Sequence, residues 1–224
     1  MKISNFKLGI GIPLSFPMVP GAFFDSFITM EKPDFVYLRS SSGPVDEMRN
    51  ALVQDAIASG CSHLIMMDTD HTYPVDTITK LLSHRLPIVG CLVHRRYPPF
   101  DPLLLRGTLS HYQTIPEWEP ASLVEVDATG TGCLLFEVDV FRSMPRPWFK
   151  FRTSVGGPVG EDIGFCSDLR AAGHRIFVDT SIPAGHLSQL VVNEGTWKLY
   201  SKLNEAAMKA AHEVEHGVLK TKAA

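Results

Sequence analysis

The chain has 224 residues, 45% of them hydrophobic and 20% charged, with a formal net charge of -3. That length suffices for one sizeable domain with a substantial core, and the composition is that of an ordinary globular protein. The slightly acidic balance excludes strong global attraction to nucleic acid, although a local basic patch stays open.

Four cysteines, Cys61, Cys91, Cys133 and Cys166, lie far apart and form no Cys-x-x-Cys. They suit a reducing compartment rather than a zinc knuckle or a disulfide scaffold. Gly, Pro and Ser interrupt the stretch from Leu8 to Val19, so it lacks the apolar core of a signal peptide. No run of roughly 18 apolar residues suggests a membrane span. A soluble, cytoplasmic protein is the expectation.

In chain order, Phe6–Ile12 reads as a first strand, broken by Pro13 into a loop rich in Pro and Gly (Pro13, Pro17, Pro20, Gly21). Asp34–Arg39 is predicted as a second strand. A helix follows, with Pro44 at its first position, Asp46 and Glu47 complementing its dipole, and Val45, Met48, Leu52, Ala56 and Ile57 on its apolar face. Gly60 is placed to stop it. Ser62-His-Leu-Ile-Met-Met-Asp68-Thr-Asp70-His71 then reads as a buried strand whose carboxyl end delivers two carboxylates. Thr72 and Pro74 are expected to open a helix with Val75, Ile78, Leu81 and Leu82 inward, and Pro87–Val93 is the next strand. This alternation over residues 6 to 93 predicts a parallel, doubly wound sheet.

Five prolines between His94 and Pro120 predict an excursion with short strands. Ser122–Asp127 alternates like a strand with one wet face. Gly130-Thr-Gly132 leads into an apolar run to Phe136, the two glycines allowing close approach of the backbone to a ligand. Val138–Ser143 is a short helix, and residues 156–160 a mobile glycine loop. Glu161 and Asp162 open a helix with Ile163, Cys166 and Leu169 inward and Gly173 as its stop. Arg175–Val178 is the last strand, followed by His186. The tail is a long amphipathic helix with Trp197, Tyr200, Leu203, Ala207, Ala211, Val214 and Val218 on one stripe, suited to packing or to a partner.

In open α/β sheets, ligands bind at the carboxyl ends of strands. Asp68 and Asp70 at such an end can hold a divalent cation through hard oxygen ligands, and with it a diphosphate. The chain carries its own controls, since Glu117/Glu119, Glu125/Asp127 and Glu137/Asp139 share the spacing without that context. A carboxylate in the first turn of a helix stays ionised and can accept a proton. His94-Arg95-Arg96-Tyr97 and the segment from Arg142 to Arg152 form either a solvated rim or a wall for a phosphorylated or nucleic-acid acceptor.

The ordered set of Asp68-Thr-Asp70, Gly130-Thr-Gly132, Glu161-Asp162 and Gly185-His186, with Arg49-Asn50 ahead of the acidic strand, resembles the A-type glycosyltransferases over nearly the whole chain. Among them it most resembles the family 2-like nucleotide-diphospho-sugar transferases. The resemblance implies an α/β fold with a doubly wound, mixed and mostly parallel sheet flanked by helices, closed by the C-terminal helix. It implies one domain over 1–224, with 1–93 as the nucleotide-binding half, 94–190 as the acceptor and catalytic half, and 191–224 as the helix. It implies transfer of a sugar, as in hexosyltransferases, from a nucleotide-diphosphate donor, a UDP-sugar first, to a hydroxyl acceptor, with inversion.

The resemblance leaves the hydroxyl acceptor open: a glycan, a small molecule or a modified nucleic acid. By the same resemblance Asp70, Asp68 and His186 hold Mn²⁺ or Mg²⁺, with Asp68 on the ribose or a water of the metal. Asp162 is the catalytic base and Glu161 its neighbour. Arg39, Ser40 and Arg49 contact the nucleoside, and Gly132 borders the donor. The acidic residue usual after the second strand is missing, which leaves the nucleobase open. A sugar nucleotidyltransferase, or a silent binding module of the same fold, is the alternative. The former normally places basic residues in the loop after the first strand, and Gly11 to Pro20 has none.

Overall fold

The computed structural model describes the backbone of residues 6–109 and 111–221, and the side chains of those up to 209 apart from Ala207. It separates into a body ending at Leu187 and a segment beginning at Ser188.

In the body the elements run β1 (Leu8–Pro13), α1 (Gly21–Thr29), β2 (Phe35–Ser40), α2 (Val45–Ala58), β3 (His63–Met67), β4 (His71–Thr72), α3 (Thr77–Ser83) and β5 (Ile88–Leu92). There follow β6 (Leu105–Thr108), β7 (His111–Thr114), β8 (Leu123–Val126), β9 (Cys133–Glu137) and α4 (Val138–Arg142). The body closes with β10 (Arg152–Ser154), β11 (Gly157–Val159), α5 (Glu161–Ala171), β12 (Ile176–Pro183) and β13 (Gly185–His186).

The main sheet has seven strands in the order β2-β1-β3-β9-β5-β12-β8. The fold is α/β, and the sheet is mixed with most strands parallel, as the sequence resemblance implies. β9 pairs antiparallel with both β3 and β5, and β8 antiparallel with β12, so the other five strands share one direction. The main-sheet strands from residues 6 to 93, β1, β2, β3 and β5, all run in one direction, as their alternation predicts. β9, from later in the chain, is inserted antiparallel between β3 and β5, and this places the start of β9 beside the end of β3, where Asp68 N–H donates to the Gly132 carbonyl at 2.9 Å.

β3 shows why the sheet is covered on both sides. Leu64 and Met66 belong to one apolar cluster, with Leu52, Phe136, Phe141 and Phe165. Ile65 and Met67 belong to the other, with Ile10, Phe23, Ile78 and Leu81. Successive side chains of a strand point to opposite faces, so a run with no polar residue needs an apolar layer on each. α2 supplies part of the first layer and ends at Gly60, whose φ of +68° continues the chain where a Cβ is disfavoured.

Four local expectations are corrected. α1 falls in what reads as a loop; its signal was the i, i+4 pair Phe23 and Phe27, which stack with centroids 5.7 Å apart. α3 begins at Thr77 rather than near Thr72, because His71 and Thr72 are extended and paired with β13 and Val75 is exposed. The residue before Pro74 is likewise biased against helix. Pro44 precedes the first helical residue of α2 by one. The glycine loop 156–160 is built into a hairpin, with β10 and β11 antiparallel.

The segment from Ser188 carries α6 (Glu194–Thr221). Asn193 starts it: its side-chain oxygen accepts from the N–H groups of Gly195 and Thr196 at 2.9 and 3.1 Å, while Thr196 Oγ1 accepts from Asn193 N–H at 2.7 Å. This reciprocal arrangement satisfies donors that a helix start leaves open. Trp197, Tyr200 and Leu203 are exposed, and the expected continuation of their stripe through Ala207, Ala211, Val214 and Val218 lies outside the described side chains. No helix among the described residues is long and apolar enough to cross a membrane.

Candidate functional site

β4 and β13 form a two-residue ribbon in which His71 faces His186 and Thr72 faces Gly185. Leu187 N–H donates to the Asp70 carbonyl at 2.7 Å and extends the pairing. The ribbon thereby brings Asp70, His71 and His186 together, their ligand atoms all within 4.8 Å of one another. The imidazoles stack with centroids 4.1 Å apart.

Proton positions follow from the partners. His186 Nδ1 donates to the His94 carbonyl at 2.7 Å, so Nε2 carries a lone pair, and it lies 3.4 Å from Asp70 Oδ2. His71 Nδ1 donates to Asp70 Oδ1 at 2.9 Å. Burial, helped by the nearby His186 and Arg49, pushes His71 down to about 4, so it stays neutral at ordinary pH. A neutral imidazole with its other nitrogen bonded to a carbonyl or carboxylate is the form that ligates metals. One carboxylate and two imidazoles therefore suit a divalent ion. Mn²⁺ fits them better than Mg²⁺, which keeps its waters and prefers oxygen shells.

Gly132 is what lets His71 sit there. A Cβ at that position would lie 2.7 Å from His71 Cε1 and 3.1 Å from its Nε2, so the backbone's close approach is to this ring. The Tyr73 hydroxyl lies between the carbonyls of Asp68 and Gly132, at 2.8 and 2.7 Å, and ties the two strand ends together.

Asp68 is engaged differently from Asp70. Its Oδ2 accepts from Arg49 Nη2 at 2.9 Å, and its Oδ1 is buried with no hydrogen-bond partner. Burial alone would raise this carboxyl, but the Arg49 charge and hydrogen bond outweigh it and hold the group below its ordinary value. Arg49, 3% exposed, also donates from Nε to Glu161 Oε1 at 3.0 Å. Its burial does not leave it open for the nucleoside contact that the resemblance implies. It is a buried bridge from the end of β3 to the first residue of α5.

Glu161 is correspondingly turned inward. Among the described residues no cation pairs with Asp162 next to it: Oδ1 accepts from the Ile163 N–H at 2.7 Å, and Oδ2 lies over Gly130. Burial, reinforced by the Glu161 charge, pushes Asp162 up to about 6 even with Arg49 pulling it down. A carboxylate held near neutrality is a better proton acceptor than an ordinary one.

Where β1 and β2 end, Leu14, Ser15, Phe16, Pro17, Arg39 and Ser41 line a cleft of about 360 Å³. Arg39 is thus on this wall, while the Ser40 carbonyl is taken by Leu14 N–H at 2.8 Å and Ser41 faces the cleft. A second cleft of about 440 Å³ runs along α2 past Arg146 and Trp148 and shares no residue with the cluster. Trp148 and Phe149 are core residues, and Arg142 and Arg152 pair with Asp139 and Asp168. The aromatic pair of that segment is thus core, while Arg142, Arg146 and Lys150 stay exposed.

Arg96, expected from the sequence only as part of a basic rim or acceptor wall, joins the cluster itself: its Nη2 bonds Asp70 Oδ2 and its Nε donates to His186 Nε2 at 3.2 Å. Its signal was position, since it follows β5 at the same edge of the sheet where β3 ends.

No protein-family model matches this chain, and no curated protein matches it in sequence. Solved structures do match it in fold. The crystal structure of A197 from STIV aligns with a TM-score of 0.55 and 16% identity over 84% of this chain and 87% of that one. A crystal structure of GalNAc-T7 with UDP, GalNAc and Mn²⁺ aligns with a TM-score of 0.56 and 14% identity, over 84% of this chain but 45% of that one. At these identities the likeness is one of fold. It shows a fold like that of the A-type glycosyltransferases and assigns the chain to no family.

Proposed function

We propose that the protein is a metal-dependent glycosyltransferase, moving a sugar from a nucleoside-diphosphate donor to a hydroxyl acceptor with inversion at the anomeric carbon. The observation that carries this reading is the convergence of Asp70, His71 and His186 at the carboxyl end of β3 in a fold of this type. The similar GalNAc-T7 structure holds UDP, GalNAc and Mn²⁺, which supports the same classes of ligand here.

Asp70 and His186 hold the divalent ion, and His71 orients Asp70. When bound, the ion supplies positive charge where the departing diphosphate becomes negative. The nucleoside takes the cleft of Arg39 and Ser41, with Ser40 as part of its backbone wall. Arg49 sets the separation of Asp68 and Glu161, and so of the donor end from the base. Asp162 accepts the proton of the acceptor hydroxyl as the oxygen attacks the anomeric carbon. The new glycosidic bond forms as the bond to the phosphate oxygen breaks, and the nucleoside diphosphate leaves with the electron pair. A single displacement from the opposite face inverts the centre, and a positioned base contributes about 10²–10⁴-fold.

The test is donor turnover in Mn²⁺ with UDP-sugars, read as UDP release. Asp70→Ala and Asp162→Ala should each abolish it, and only Asp70→Ala should weaken Mn²⁺-dependent UDP binding. Activity in both variants would reject the site. Product NMR showing retention would reject the single displacement.

A further inference from the structure

Arg96 occupies the two atoms that a cation would take. Asp70 Oδ2 and His186 Nε2 face each other at 3.4 Å, each presenting a lone pair, because His186 spends its proton on the His94 carbonyl. Two lone pairs that close repel unless something positive lies between them. Among the described residues the Arg96 guanidinium does this, with Nη2 on the carboxylate and Nε on the imidazole. Its side chain is 41% exposed and comes from the loop after β5, so it can leave without opening the core. The loop keeps its own frame, with Arg95 N–H on the Asp101 carbonyl at 2.9 Å and a bridge from His94 to Pro102.

We propose that Arg96 is a placeholder for the divalent ion: it holds Asp70 and His186 in position in the unliganded protein and yields them when the ion arrives together with the diphosphate. The proposal rests on the reading of this cluster as a metal and diphosphate site. A guanidinium and a metal ion cannot share the same lone pairs, so a free ion must displace Arg96 and leave it without a partner. With a diphosphate present, the released guanidinium finds phosphate oxygens beside it, and its planar fork suits them in bidentate fashion. Ion and nucleoside diphosphate then favour each other's binding, by reciprocity of linkage.

The experiment is a Mn²⁺ titration of wild type, Arg96→Ala, Arg96→Lys and Asp70→Ala, read by the electron paramagnetic resonance signal of free Mn²⁺, with and without UDP. Arg96→Ala is expected to bind Mn²⁺ alone about tenfold more tightly than wild type, and UDP to tighten Mn²⁺ binding by about tenfold in wild type and by clearly less in Arg96→Ala. Arg96→Lys should fall between them, since it keeps the charge and loses the fork. Equal or weaker binding by Arg96→Ala, with Asp70→Ala still abolishing it, overturns the placeholder and leaves the metal site standing. If neither wild type nor Arg96→Ala binds Mn²⁺ with or without UDP, both fall together.

Discussion

Asp162 and Gly132 illustrate how single residues set the chemistry. Burial lifts the Asp162 carboxyl to about 6, above its ordinary 3.8. A carboxyl whose value is raised on folding stabilises the fold when protonated, a contribution complete below 3.8 and lost as pH rises through about 6. Asp162→Asn is therefore expected to raise stability at pH 8 by up to about 3 kcal/mol, with the gain shrinking towards pH 4.5, while turnover is lost. Thermal melts at the two pH values check the sign. If Asp162 is the base, as proposed, kcat/KM of the wild type should fall as pH drops below about 6, where that carboxylate becomes protonated. Gly132→Ala pushes a methyl group into the His71 ring, and overpacking of this kind typically costs about 1–3 kcal/mol. Weaker Mn²⁺ binding together with a lower Tm is the expected pair of results.

Elements meet through a few buried polar side chains. Arg49 on α2 joins the end of β3 to the start of α5 through Asp68 and Glu161. Removing it leaves two buried carboxylates uncompensated, and breaking a buried pair in this way costs about 3–5 kcal/mol. Because Asp68 is held below its ordinary value, this stability is present above that value and lost as pH falls through the folded one. Urea melts of Arg49→Ala should thus show a larger deficit at pH 8 than in acid. Asn50, one position on, does different work: its amide oxygen accepts from Trp148 and Phe149 N–H at 3.0 and 3.1 Å, and its Nδ2 donates to the Asp46 and Phe149 carbonyls at 2.8 and 2.7 Å. Asn50→Ala strands two backbone donors and should destabilise by about 1–3 kcal/mol or more. No change in Cm would show that water replaces the amide.

For the whole molecule, ligand linkage is the natural measure, because Asp70 and His186 lie 116 positions apart and meet only in the folded state. Mn²⁺ and UDP at about 100 times the dissociation constant should stabilise the protein by about 2.7 kcal/mol, an effect absent in Asp70→Ala. The elements of that fold were mostly legible beforehand. β3 is a five-residue stretch with four fully buried positions, α2 and α5 have apolar faces and glycine stops, and Asp68, Asp70 and Glu161-Asp162 stand at element ends where the chain pattern puts them. These features are local, set by periods of 2 and 3.6 residues and by Gly and Pro geometry.

Tertiary structure alone decided the rest. It set β9 antiparallel between β3 and β5, gave Asp68 to Arg49 and not to the Asp70 cluster, stacked His71 on His186, and laid Arg96 across the ligand atoms. Each of these depends on which distant segments share a sheet edge. A residue's neighbours in sequence constrain its backbone, but its partners in space, and with them its charge and proton, follow from long-range pairing that no local pattern encodes.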